Sequence, residues 1–194
     1  MKYPKRIETK RGYEFFEVSS AFQKAIRRGD EEVALYFAVE LFNSGFDEYL
    51  WKRIKIICSE DIGLAEPFFP MTIQALYRMY VDQKKKNDTK HQPEKLFLIH
   101  AVLLLVRANK SRLVDWALIT YFDMTEKLPI PDYAYDKHNR KGRAMGRGLD
   151  HFWTEGSKLS PHTPLPREEE YKERAYKAAV RLASGTLFGE VNHD

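Results

Sequence analysis

The chain has 194 residues, 43% hydrophobic and 31% charged, with 32 basic side chains against 28 acidic ones. This is a globular profile, long enough to bury a core unaided, and it excludes a wholly disordered chain. The net charge of +4 permits nucleic-acid contact without demanding it, and the single cysteine, Cys58, excludes an intrachain disulfide framework.

The first twelve residues carry Lys2, Lys5, Arg6, Lys10 and Arg11 and are expected to form a basic, flexible arm. From Tyr13 a helical period begins. Phe15, Phe16, Phe22, Ala25 and Ile26 share a face, and Arg27-Arg28-Gly29 reads as a helix end, with cations in the last turn and glycine after it. Asp30-Glu31-Glu32 opens a second helix, apolar over a wide arc from Val33 to Leu41 and therefore central or shared between subunits. Asn43-Ser44-Gly45 stops it, and Asp47 is expected to cap a third helix through Leu50, Trp51, Ile54 and Ile57. Cys58 closes that apolar run and is expected to be a buried, inert thiol.

A tight junction, Ser59–Ala65, follows, where Gly63 fits a positive φ or a close helix contact. Pro67 and Pro70 mark the first turn of a fourth helix, and Lys84–Asp88 reads as a polar linker. Pro93 starts a fifth helix running to about Arg107, and Ser111 caps a sixth through Val114, Trp116, Leu118, Ile119 and Phe122. The apolar stripes of the second, fifth and sixth helices read mostly as core, in part as an oligomer face. No alternating strand pattern intervenes, so residues 13–124 predict an all-α bundle or array. The longest apolar run, Ala101–Val106, is far short of the roughly 20 residues a membrane helix needs. Met1–Arg11 has no signal-like apolar segment, so a cytoplasmic location is expected.

The pattern changes in residues 125–194. Prolines and glycines punctuate the chain as far as Arg167, and a last helix from Glu168 to Ala183 is expected to pack back on the bundle through Tyr171, Ala175, Ala178, Ala179 and Leu182. Inside this stretch, residues 136–148 concentrate positive charge. Lys137, His138, Arg140, Lys141, Arg143 and Arg147 are candidate phosphate or nucleic-acid ligands, because Arg and Lys neutralise phosphates and Arg binds them in a fork. Tyr133, Tyr135, Phe152 and Trp153 flank them and could stack on bases. A solvated basic loop with structural aromatics accounts for the same residues.

Asp136, His138, Asp150 and His151 lack a metal-binding spacing with a strong mechanism, and capping explains them better; no metal or cofactor is expected. Glu60-Asp61 could be a paired-carboxylate site, but its place at a helix junction favours capping and a salt bridge to a neighbour such as Arg53.

Ser20–Arg27, followed by Gly29-Asp30 and Ala34-Leu35-Tyr36, resembles the start of the C-terminal helical domain of MgsA/RarA-type AAA+ ATPases. Ser59-Glu60-Asp61-Ile62-Gly63-Leu64-Ala65 is the most specific run of this resemblance, and Ala108-Asn109-Lys110-Ser111 resembles the family's Lys-Ser helix junction. The resemblance covers residues 13–122 and stops after Thr125. It implies a fold like the clamp-loader C-terminal domains, self-association commonly as tetramers, and a link to DNA replication or repair. No G-x-x-x-x-G-K-[ST] pattern occurs, so the chain lacks a P-loop and is not the ATPase part. Met1 at the start favours a complete product over a fragment.

Three functions are compatible with these residues. The leading one is a non-catalytic oligomerisation and binding module that contacts DNA or a DNA-processing ATPase. The second is a small enzyme acting on a phosphorylated or nucleic-acid substrate through Asp136 and His138. The third is a purely structural interaction protein.

Overall fold

The computed structural model describes residues 7–86 and 91–184. Their regular structure is helical, as the period predicts, with an isolated antiparallel bridge between Glu8 and Glu14. No helix among them is long and apolar enough to cross a membrane. The chain divides into two compact units, Met1–Thr125 and Glu126–Asp194.

In the first unit, α1 (Phe15–Arg28) ends at Gly29, whose φ of 74° aims its N–H at the carbonyls of Ala25 and Ile26. α2 (Glu31–Asn43) starts at Asp30, whose carboxylate accepts from Val33 N at 3.2 Å. Ala34 and Ala38 are fully buried on α2, and these small side chains suit a helix that packs against both α1 and α5. α3 (Asp47–Ile57) does not begin as expected. Asp47 makes no cap; its carboxylate accepts from the Tyr80 hydroxyl at 2.5 Å and pairs with Lys84. Two charged or buried partners from α4 outweigh one local backbone N–H.

α4 (Phe69–Lys86) holds Pro70 in its first turn, while Pro67 lies in the turn before it. Lys84–Lys86 continue this helix rather than forming a linker; Asn87 and Asp88 fall outside the described residues. α5 (Glu94–Arg107) follows Pro93, and α6 (Leu113–Phe122) follows Ser111, whose hydroxyl accepts from Leu113 N at 3.3 Å. The core gathers Phe22, Ile26, Leu41, Trp51, Ile54, Tyr80 and Leu105. Cys58 is buried beside them, and burial pushes its thiol up to about 11.

Two expectations need correction. Ile7–Gly12 does not hang free. Phe15 N donates to Ile7 O at 2.9 Å, Lys10 N to Ser44 Oγ at 2.8 Å, and Arg11 N to the buried Glu40 at 2.9 Å. The supposed arm is therefore a clasp on the C-terminal half of α2 from residue 7 onward; residues 1–6 lie outside the described residues. The second correction is α6. It has no buried residue, whereas its apolar stripe reads mostly as core and only in part as an oligomer face.

The second unit contains a 3-10 turn (Asp132–Ala134), α7 (Arg140–Ala144), α8 (Leu149–His151) running into a π turn (Phe152–Gly156), and α9 (Glu168–Ala183). Among its described residues the buried position is Gly142. A Cβ there would lie 2.0 Å from the Asp136 carbonyl oxygen, so this glycine serves close approach of two backbone segments.

Candidate interaction surfaces

Asp61 is completely buried, yet it is charged chemistry that must be satisfied. Gln23 Nε2 donates to Oδ2 at 3.0 Å, and Arg27 Nε donates to Oδ1 at 2.6 Å. The Arg27 fork also reaches Glu60 at 3.0 Å, and Arg112 stands 3.6 Å from both carboxylates. Arg53, the partner expected from sequence, donates to Gln23 instead. The Glu60-Asp61 pair is thus a structural anchor held by two arginines from α1 and from the start of α6, and the acid–base reading has no support in this geometry.

The same junction grips the chain entering α6. Ser111 N donates to the Asp61 carbonyl at 2.9 Å, and Asn109 Nδ2 donates to Glu66 at 2.9 Å. Lys110 Nζ covers the end of α5 by donating to the carbonyls of Val106 at 2.8 Å and Ala108 at 2.5 Å. Gly63 has φ +52°, and a Cβ there would press on Ser111 O and Val114 Cγ2, both at 3.2 Å. The two most distinctive runs of the sequence, Ser59–Ala65 and Ala108–Ser111, are therefore the two halves of one joint.

What this joint positions is an apolar surface. Trp116, Tyr121 and Phe122 of α6 are 60%, 67% and 84% exposed. Beside the helix runs a cleft of about 370 Å³ lined by Lys55, Ile56, Ser59, Glu60, Val114, Asp115 and Leu118. An exposed apolar helix next to an open apolar cleft is the signature of a contact surface.

The basic segment of the second unit sorts into two groups. Arg147 is committed internally: its guanidinium donates to both Asp132 carboxylate oxygens at 2.8 and 2.7 Å and to the carbonyls of Asp132 and Tyr135. It pins the 132–135 turn, and that was not visible from the sequence, where it read as one more cation in a cluster. Arg140, Lys141 and Arg143 are exposed. Lys141 Nζ lies 4.0 Å from the centre of the Tyr135 ring, and Arg143 donates to the Lys137 carbonyl at 3.1 Å. Lys137 stands 5.1 Å over Phe152.

His138 Nδ1 meets Asp136 Oδ2 at 2.9 Å, and its backbone N–H donates to the other oxygen. These hydrogen bonds hold the Asp136 carboxyl below the usual carboxylate range. Asn139 caps α7 through Gly142 N at 2.8 Å. Of the flanking aromatics, Phe152 packs edge-on to His138 and Trp153, while Tyr133 is 74% exposed. Among the described residues no three His, Cys, Asp or Glu side chains converge as metal ligands would.

The fold and its joint define an all-helical module with an exposed apolar helix. The chain belongs to the family described as MgsA AAA+ ATPase C terminal, matched over residues 29–181. The family thus extends through most of the second unit, past the point where the resemblance stopped. A turn-rich segment without helical period carries little recognisable pattern, which is why its membership was missed. The chain is 29% identical over 178 residues to replication-associated recombination protein A of Bacillus subtilis, covering 85% of this chain and 40% of that protein. It is 32% identical over 140 residues to an uncharacterised AAA domain-containing protein of Mycobacterium tuberculosis, covering 70% and 29% respectively. A replication-associated recombination protein A of Coxiella burnetii is 29% identical over 147 residues. The chain therefore spans well under half the length of these relatives.

Proposed function

We propose that this chain is a self-associating helical module of a cytoplasmic system of DNA replication or recombination, acting beside an AAA+ ATPase partner. The observation that carries the reading is α6, a helix with no buried residue and with its aromatics open to solvent. Natural monomers seldom leave such a face uncovered. The printed names of the relatives, replication-associated recombination proteins, supply the biological setting. Four copies per assembly is the number the resemblance implies. Light scattering on the eluting full chain tests the reading: a mass of two or more copies that falls on dilution supports it. A single-copy mass at every concentration would overturn it.

A second contact follows from the exposed cations. Arg140, Lys141 and Arg143, supported by Lys137 and His138 and positioned by Arg147, form a surface for nucleic-acid phosphates. Substituting the three exposed residues with Gln should weaken DNA binding and lower the slope of log affinity against log salt by about 2 to 3, at roughly 0.9 per lost phosphate contact. An unchanged slope removes this surface from the proposal.

A further inference from the structure

We propose that the second unit binds one uncharged nucleobase, stacked on the indole of Trp153 in a cleft that none of the candidate cations lines. This goes beyond the function proposed above and stands independently of it.

The cleft, of about 450 Å³, lies between the π turn with the loop after it and the first turn of α9, and its lining belongs to the second unit alone. That volume falls within the roughly 300–1,000 Å³ of small-molecule sites. One wall is Trp153. Its ring stands nearly perpendicular to those of Phe152 and Tyr176, with centroids 5.9 Å from each, and Tyr176 is tied down by donating its hydroxyl to Asp150 at 2.6 Å. The indole Nε1 is buried, so the ring offers the cleft carbon rather than its N–H. Such a surface holds a flat ring by stacking, whichever base the ring belongs to.

The polar lining sets the charge of the ligand. Lys158 and Lys172 are matched by Glu168 and Glu169, so formal charge cancels and neither a cation nor an anion is favoured. Hydrogen-bonding capacity is of both kinds. The Ser157 and Thr154 hydroxyls donate to the carbonyls of Trp153 and Asp150, at 2.9 and 3.0 Å, which leaves their oxygens to accept. Glu168 accepts from Leu165 N at 2.8 Å and meets His162 Nε2 at 2.9 Å, and these contacts hold its carboxyl below the usual range. An ionised carboxylate only accepts, so the imidazole donates through Nε2 and, when neutral, keeps Nδ1 as an acceptor. The lysine ammoniums are the donors, and their ion pairs with Glu155 and Glu169 are exposed ones that contribute little and yield readily. An uncharged ring with donors and acceptors along its edges, a nucleobase, is the ligand class that answers this lining.

NMR titration of the full chain with adenosine, guanosine, cytidine and thymidine tests this. At least one nucleoside should bind, and Trp153→Leu should weaken it about 5- to 150-fold, the span of one base–aromatic stack. Light-activated azidoadenosine and thiouridine should label residues 153–172 of the wild-type chain, a readout that decides even where Trp153→Leu disturbs the fold. A single-stranded oligonucleotide that displaces the nucleoside, where an abasic strand does not, would show the base arriving within a strand. Displacement by neither would show a free nucleoside as the ligand. No nucleoside bound at millimolar concentration, labelling confined to other residues, or a folded Trp153→Leu chain that binds as wild type does would each overturn the proposal and leave the function proposed above standing.

Discussion

Tyr80 is completely buried and carries a hydroxyl that must be satisfied inside the bundle. It donates to Asp47, which also pairs with Lys84, so one carboxylate ties the start of α3 to the end of α4. Burial works to raise the Asp47 pKa, but Lys84 and the Tyr80 hydroxyl outweigh it and hold the carboxylate below its ordinary value. A carboxyl with a lower pKa folded than unfolded contributes stability above about pH 4, and loses it as pH falls through the folded value. Asp47→Ala should cost about 1–3 kcal/mol at neutral pH by leaving the Tyr80 hydroxyl unpaired. Urea unfolding at pH 7 and pH 3 checks this, and the gap between wild type and variant should shrink at the lower pH.

At the scale of elements, the joint between the Cys58–Ile62 π turn and α6 makes the sharpest prediction. Gly63 combines φ 52° with ψ −131°, a conformation for which glycine is suited, and its neighbours leave no relaxed place for a methyl group. Gly63→Ala should therefore cost about 1–3 kcal/mol. Asp61→Ala should cost about 3 kcal/mol, at the low end for a broken buried ion pair, because Arg27 and Arg112 are each about one-third exposed and can rehydrate. Chemical denaturation reads both. The glycine was legible in the sequence because its reason is local, as were the Asp30 cap and the Gly29 stop. The partners of Asp61 were not, since Arg27, Arg53 and Arg112 look alike until the fold brings two of them to the carboxylate and turns the third to Gln23. The exposure of α6 was only half legible for a related reason. A helix apolar on all sides points to burial, and only the fold shows how few elements of its own unit pack on it.

At the scale of the whole molecule, the two units differ in what holds them. The first has a core of fully buried aliphatics and aromatics; the second, over its described residues, fully buries no large side chain and relies on local hydrogen bonds and ion pairs. Regions with few buried apolar contacts open first. Brief proteolysis of the native chain should therefore cut within 126–184 well before it cuts within α1–α5, with mass spectrometry locating the sites. Equal cutting in both units would contradict this account.

The clasp at residues 7–12 has a mechanical consequence. A load applied through the N-terminal end meets the bonds from Lys10 to Ser44 and from Arg11 to Glu40 before it reaches α1. Both anchor points lie near the end of α2, which packs against α1, α3 and α5. Tension on this end is therefore distributed over the bundle instead of peeling α1 away turn by turn. A surface or fusion partner tethered ahead of Ile7 would tug on the first unit as a block.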